Sequence, residues 1–101
     1  MNKPRMFVPQ KKLADFCRHW KVIEVAIFGS ALREDFTPAS DVDILVTFAP
    51  DAQVGLFELA QMQIELQGLF KRPVDVVEKA SLRNPYRRRT ILQTAQVIYA
   101  A

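Results

Sequence analysis

Two segments decide the fold: Val22-Ile23-Glu24-Val25-Ala26-Ile27-Phe28-Gly29-Ser30, and after a polar stretch Ser40-Asp41-Val42-Asp43-Ile44-Leu45-Val46-Thr47-Phe48. The first is dense in β-branched and aromatic residues, spans strand length and stops at a glycine, the pattern of a buried strand. In the second, Val42, Ile44, Val46 and Phe48 alternate with Asp41, Asp43, Leu45 and Thr47. That period of two predicts a strand with one apolar face, and its other face opens on two carboxylates.

Working outward, Leu13, Phe16, Cys17 and Trp20 recur at i, i+3, i+4 and i+7 after Pro9, which predicts an amphipathic helix over 11–20. Residues 30–40 read as a loop, or a short helix and a loop. Residues 53–70 are rich in Leu, Gln and Glu, with an apolar stripe through Leu56, Leu59, Ala60, Ile64 and Leu66, and predict a long helix. Val74 to Val77, introduced by Pro73 and containing Asp75, predicts a third short strand. Asn84-Pro85 matches an N-cap and first helical position, after which Ile91, Leu92, Ala95, Ile98 and Tyr99 fit one last amphipathic helix. The order predicts an α/β (α+β) fold, a small mixed sheet of about three strands covered by helices, with residues 1–101 as a single domain. Its small core and open sheet edges leave room for a partner or for homo- or hetero-oligomers.

Half of the 101 residues are apolar and a quarter are charged, which excludes a disordered tail or a low-complexity segment. No apolar run approaches the ~18 residues of a membrane span and the opening stretch lacks an apolar signal core, so no membrane association and a cytoplasmic setting are expected. Cys17 is a single cysteine beside a single histidine, His19, too few soft ligands for a disulfide or a zinc site. The net charge of +3 is unevenly placed: residues 71–101 carry 7 basic and 2 acidic side chains, against 7 and 9 in residues 1–70. An anion or acidic partner on that side is one reading and a solvated face the other; direct nucleic-acid binding is not expected. The run Arg87-Arg88-Arg89 is read as surface-exposed. Phe16 and Trp20 are expected in the core, and Tyr99 as a core or interface anchor.

The residues that carry chemistry are few. A glycine after a strand lets backbone approach a ligand, and the Ser30 hydroxyl with neighbouring amides can donate to an anion. Asp41 and Asp43, one residue apart in extended chain, place two carboxylates on one face, and such like charges are usually neutralised by a hard cation such as Mg²⁺. Asp75 lies amid valines, where a buried carboxylate needs a partner or a metal. If its strand pairs beside the Asp41–Asp43 strand, three carboxylates converge. Three acids, an anion loop and no other credible nucleophile or base point to two-metal phosphoryl chemistry.

Gly29-Ser30, the run Ser40-Asp41-Val42-Asp43-Ile44-Leu45-Val46 and the later Asp75 resemble the nucleotidyltransferase superfamily of the DNA polymerase β type. Within it the chain is most similar to the minimal nucleotidyltransferases, the antitoxin-side partners of HEPN-domain toxins, and the likeness covers nearly the whole chain. Glu34 stands where that family commonly has a glycine. The resemblance implies a palm-like fold in which Gly29 and Ser30 bind the β and γ phosphates of ATP, with Arg33 near the triphosphate. It implies that Asp41, Asp43 and Asp75 hold two Mg²⁺ ions, and that Asp75 also takes the proton of the attacking hydroxyl. It implies an enzyme that moves AMP from ATP to a hydroxyl, expected to be a tyrosine on a HEPN-type ribonuclease toxin encoded by a neighbouring gene. Two other classes stay open at this point: a stand-alone transferase acting on a small hydroxylated molecule such as an aminoglycoside, and a non-catalytic nucleotide-binding module that neutralises its partner by complex formation.

Overall fold

The computed structural model describes residues 7–29 and 41–101. These form helix α1 (Gln10–Trp20), strands β1 (Val22–Phe28) and β2 (Val42–Phe48), helix α2 (Leu56–Phe70), strand β3 (Val74–Glu78), a 3-10 turn (Lys79–Ser81), helix α3 (Pro85–Thr94) and strand β4 (Gln96–Ala100). The sheet order is β3-β2-β1-β4. Strand β1 is antiparallel to both β2 and β4, whereas β2 and β3 run parallel. A parallel neighbour needs a long crossover, and α2 supplies it.

Helices α1 and α2 cover one face of the sheet. Leu13, Phe16 and Cys17 of α1 and Met62, Leu66 and Phe70 of α2 pack on Val25, Ile27, Val42, Ile44, Val46 and Val74. Burying a side chain of Leu or Ile size contributes about 1.5–3 kcal/mol, so this layer supplies most of the folding free energy. The opposite face carries a smaller cluster: Ala26, Phe28, Leu45, Leu82 and Ile91, the last from α3. Both α1 and α2 end on a lysine in the left-handed conformation, Lys21 and Lys71, whose N–H groups donate to Cys17 O and Gln67 O and turn the chain into the next strand region. The indole N–H of half-buried Trp20, packed against this core, donates to Glu65 Oε1 at 3.0 Å and ties α1 to α2.

Three expectations change. The last helix does not run on to Tyr99: it stops at Thr94, and 96–100 form a fourth strand on the open edge of β1. Ala95 is extended (φ −64°, ψ 141°), and Ile98 and Tyr99 pack on the α1/α2 core from a strand, not a helix. The spacing of Ile91, Leu92, Ala95, Ile98 and Tyr99 fits a helix, but the unsatisfied edge of β1 offers those residues a hydrogen-bond ladder as well as burial. On α2 the buried stripe is Met62, Leu66 and Phe70, with Leu59 and Leu69 at its margins, while Leu56 and Ile64 face outward. That helix also begins at Leu56 rather than near Gln53, because Gly55 occupies the N-cap and its N–H donates to Glu58 Oε1 at 3.0 Å. At α3 the expected cap is present: Asn84 Oδ1 accepts from the N–H groups of Tyr86 (3.0 Å) and Arg87 (3.1 Å).

Candidate active site

Strand alternation and register build the site. Val42 and Ile44 point into the α1/α2 core, so Asp43 and Leu45 point to the opposite face. Across the antiparallel pair Asp43 stands opposite Phe28, which brings it beside Gly29 at the end of β1. Across the parallel pair Asp43 is in register with Asp75, so both carboxylates project from the same face, on the α3 side. Asp41 directly precedes β2, and the entry is clamped where Val42 N–H donates to Pro73 O at 2.9 Å. Asp43 is half-buried; Asp41 and Asp75 are exposed. The burial argument for Asp75 is therefore corrected. It is exposed on an edge strand, and its place beside Asp43 comes from the parallel register.

Gly29 has φ +72°, and a Cβ added there would lie 2.4 Å from Asp43 Oδ2. The left-handed conformation favours glycine, and a side chain there would push the Asp43 carboxylate out of the space it occupies. The strand end and the first acidic strand are thus fitted to each other at the atom level. Ser30, Arg33 and Glu34 lie outside the described residues.

Among the described residues no group of three or more His, Cys, Asp or Glu side chains is gathered closely enough to hold an ion. What the chain offers is a row of hard oxygen donors at one end of the sheet. That suits Mg²⁺, which is commonly bound through one or two carboxylates with the remaining positions taken by water and substrate phosphates, not by an all-protein cage. Cys17 is no nucleophile: it is fully buried, and desolvation pushes its thiol up to about 12. His19 packs edge-on against Trp20 at 4.9 Å between ring centres. A hollow of about 270 Å³ lined by Thr47, Phe48, Pro50, Val54, Glu78 and Ala80 lies at the other end of β2 and contains none of the aspartates. Arg87, Arg88 and Arg89 are exposed on α3, as expected. The role of Pro73 in fixing the Asp41–Asp75 entry was not legible in the sequence, where it reads only as a strand opener.

With strand end, glycine and paired acidic strands in place, residues 10–98 match the nucleotidyltransferase domain family. The chain belongs to that family. A Methanocaldococcus jannaschii protein assigned as a protein adenylyltransferase is 42% identical over 74 residues, 71% of either chain. The protein adenylyltransferase MntA of Thermococcus cleftensis is 35% identical over 78 residues, 77% of this chain and 74% of its own. Among solved structures, a toxin–antitoxin crystal structure with AMP-PNP has the same fold, with a TM-score of 0.73 at 18% identity over 93% of this chain and 75% of that one. The resemblance drawn from Gly29-Ser30 and Asp41-x-Asp43 is thereby upheld, and the chain is a nucleotidyltransferase of mixed α/β fold.

Proposed function

We propose that this nucleotidyltransferase moves AMP from ATP to a protein hydroxyl, a tyrosine of a HEPN-type ribonuclease toxin encoded nearby, and so acts as that toxin's antitoxin, with residues 1–101 working as one minimal domain in the cytoplasm. The observation that carries the reading is the Asp43–Asp75 register beside Gly29, an oxygen-donor row abutting a backbone left bare of side chain. The protein adenylyltransferases among the relatives and the toxin–antitoxin structure with a nucleotide analogue support both donor and partner.

In this reading Gly29 and Ser30 seat the β and γ phosphates, with Arg33 alongside, and the bare backbone of Gly29 lets the triphosphate come close to Asp43. Asp41, Asp43 and Asp75 would hold two Mg²⁺ ions, which when bound neutralise charge on the entering and leaving oxygens. The acceptor hydroxyl oxygen forms a bond to the α-phosphorus as the bond from that phosphorus to the bridging oxygen breaks. Pyrophosphate leaves, and Asp75 takes the hydroxyl proton. Positioning and charge neutralisation provide most of the acceleration in such transfers, so a small scaffold suffices.

The test uses ATP labelled at the α or, in parallel, the γ phosphate, with Mg²⁺ and the product of the neighbouring gene. Transfer of the α label alone, lost in Asp41→Asn/Asp43→Asn, is the expected result. Transfer of the γ label would mean a kinase. A stable complex with no transfer would leave a binding module, and α transfer only to added small hydroxylated molecules would replace the protein acceptor.

A further inference from the structure

We infer that the chain pairs with a second copy of itself through the outward face of α2, the two helices lying antiparallel. Leu56, Phe57 and Ile64 on that helix are 85%, 89% and 62% exposed, while its inner side buries Met62, Leu66 and Phe70. At about 100° per residue, Phe57, Ala60, Ile64 and Gly68 fall on one stripe, with Leu56 beside it. Exposed apolar groups gathered on one face mark an interaction surface, whereas the same groups scattered singly would not.

The order of sizes along the stripe selects the occupant. It runs large, small, large, small: Phe57, Ala60, Ile64, Gly68. Turning a second copy end for end about a midpoint near residue 62 sets Phe57 opposite Gly68 of the partner subunit and Ile64 opposite Ala60 of the partner subunit. Each bulky group then meets a recess, as helix packing requires, and both halves of the contact are satisfied by one sequence. Gly68 supports this from a second direction. A glycine inside a helix costs about 1 kcal/mol relative to alanine, yet a Cβ there would meet nothing within 4 Å among the described residues, so their packing gives no reason for it.

Area agrees with the pairing, and charge opposes it only modestly, because the two acidic flanks meet at the exposed rim, where like charges are screened. The charged residues of α2 are Glu58 and Glu65, which lie around one flank of the stripe. Glu58 accepts from Gly55 N–H, and Glu65 accepts from Trp20 and Gln61, so both carboxylates already have donors within their own chain. Aromatic side chains bury ~150–250 Å² each, so the stripe and its margins offer roughly 500 Å² per copy, near the ~1,000 Å² total at which specific interfaces begin. An interface of that size makes the dimer weak and concentration-dependent, and because α2 covers the face opposite Asp43 and Asp75, the contact lies away from both acidic rows.

Sedimentation velocity on the purified chain from about 1 to about 500 µM tests this. The expected result is a mass rising from 11.6 kDa toward twice that value. Phe57→Lys and Gly68→Leu should each weaken association at least about tenfold. Gly68→Leu should at the same time melt higher than wild type at low-micromolar concentration, showing an intact protomer. Phe57→Ala/Gly68→Phe, which exchanges knob and recess, should restore pairing. A monomer throughout the range, or a dimer indifferent to both single variants, would overturn the inference. So would a monomeric wild type whose complex with the neighbouring gene's product is lost in Phe57→Lys, since that assigns the face to another protein.

Discussion

On the α1/α2 side of the sheet, Leu13, Val25, Ile27, Val42, Ile44, Val46, Met62 and Leu66 have no exposed surface, and packing runs the length of the strands. On the α3 side the cluster is smaller, Ala26, Phe28, Leu45, Leu82 and Ile91, and at the strand ends its Phe28 borders Asp43, which is only half-buried, while Asp75 in register with it is exposed. Under the proposed function, the difference separates folding from chemistry on opposite sides of the same strands. Alternate residues of β2 serve the two sides: Val42 and Ile44 hold the sheet to the helices, and Asp43 between them faces the α3 side, where the proposed function places the metal ions.

That separation is broken most severely, if it is wrong, by exchanging one residue on each side. Asp43→Asn should lower nucleotidyl transfer about 10³-fold, as loss of a carboxylate that would hold the metal ions does, while the melting temperature moves by no more than about 2 °C. Leu13→Ala should do the reverse. It costs about 3–4 kcal/mol of stability, read by urea unfolding, and leaves transfer per folded molecule unchanged. A stability loss in Asp43→Asn as large as that in Leu13→Ala would mean the acidic row is also a structural prop.

How much of this was legible beforehand follows the same division. Period two in Val42–Phe48 and the β-branched run Val22–Phe28 mark strands because side-chain alternation and burial are local properties, and Asp41-x-Asp43 shows its shared face by the same rule. What local pattern could not give was pairing. Asp75 joins Asp43 only through the parallel register of β3 on β2, and Gln96–Ala100 becomes a strand only because the far edge of β1 needs hydrogen-bond partners. The same limit applies to α2. Its sequence is apolar nearly all the way round, so Leu56 and Ile64 entered the expected buried stripe and Phe57 was not singled out, and only packing against the sheet decides which side is inner.

Gly29 sharpens the comparison at the seam between the faces. Gly29→Ala forces a side chain into a left-handed backbone, costing about 1–2 kcal/mol, and pushes on the Asp43 carboxylate that lies 2.4 Å from the added carbon. Transfer should fall about 10²-fold because a misplaced catalytic group loses orientation. Urea unfolding and label transfer on the same preparation check this. Activity retained alongside the stability loss would detach Gly29 from the nucleotide site.

The smallest effect bears on whether the thin face is a cover or part of the machinery. Helix α3 has no acidic residue in its first turn and carries Arg87, Arg88 and Arg89 near its positive end, so Asn84 is the side chain that offsets its exposed N–H groups. Asn84→Ala should cost about 1 kcal/mol in urea unfolding, and Asn84→Asp should cost nothing or stabilise slightly, since a carboxylate both caps the helix and meets its dipole. Transfer per folded molecule should stay level in both, because Leu82 and Ile91 hold α3 against Leu45 whether or not its first turn frays. Were Asn84→Ala to reduce transfer beyond its unfolded fraction, the first turn of α3 would belong to the site. The arginine run would then be read with the three aspartates as part of one binding surface.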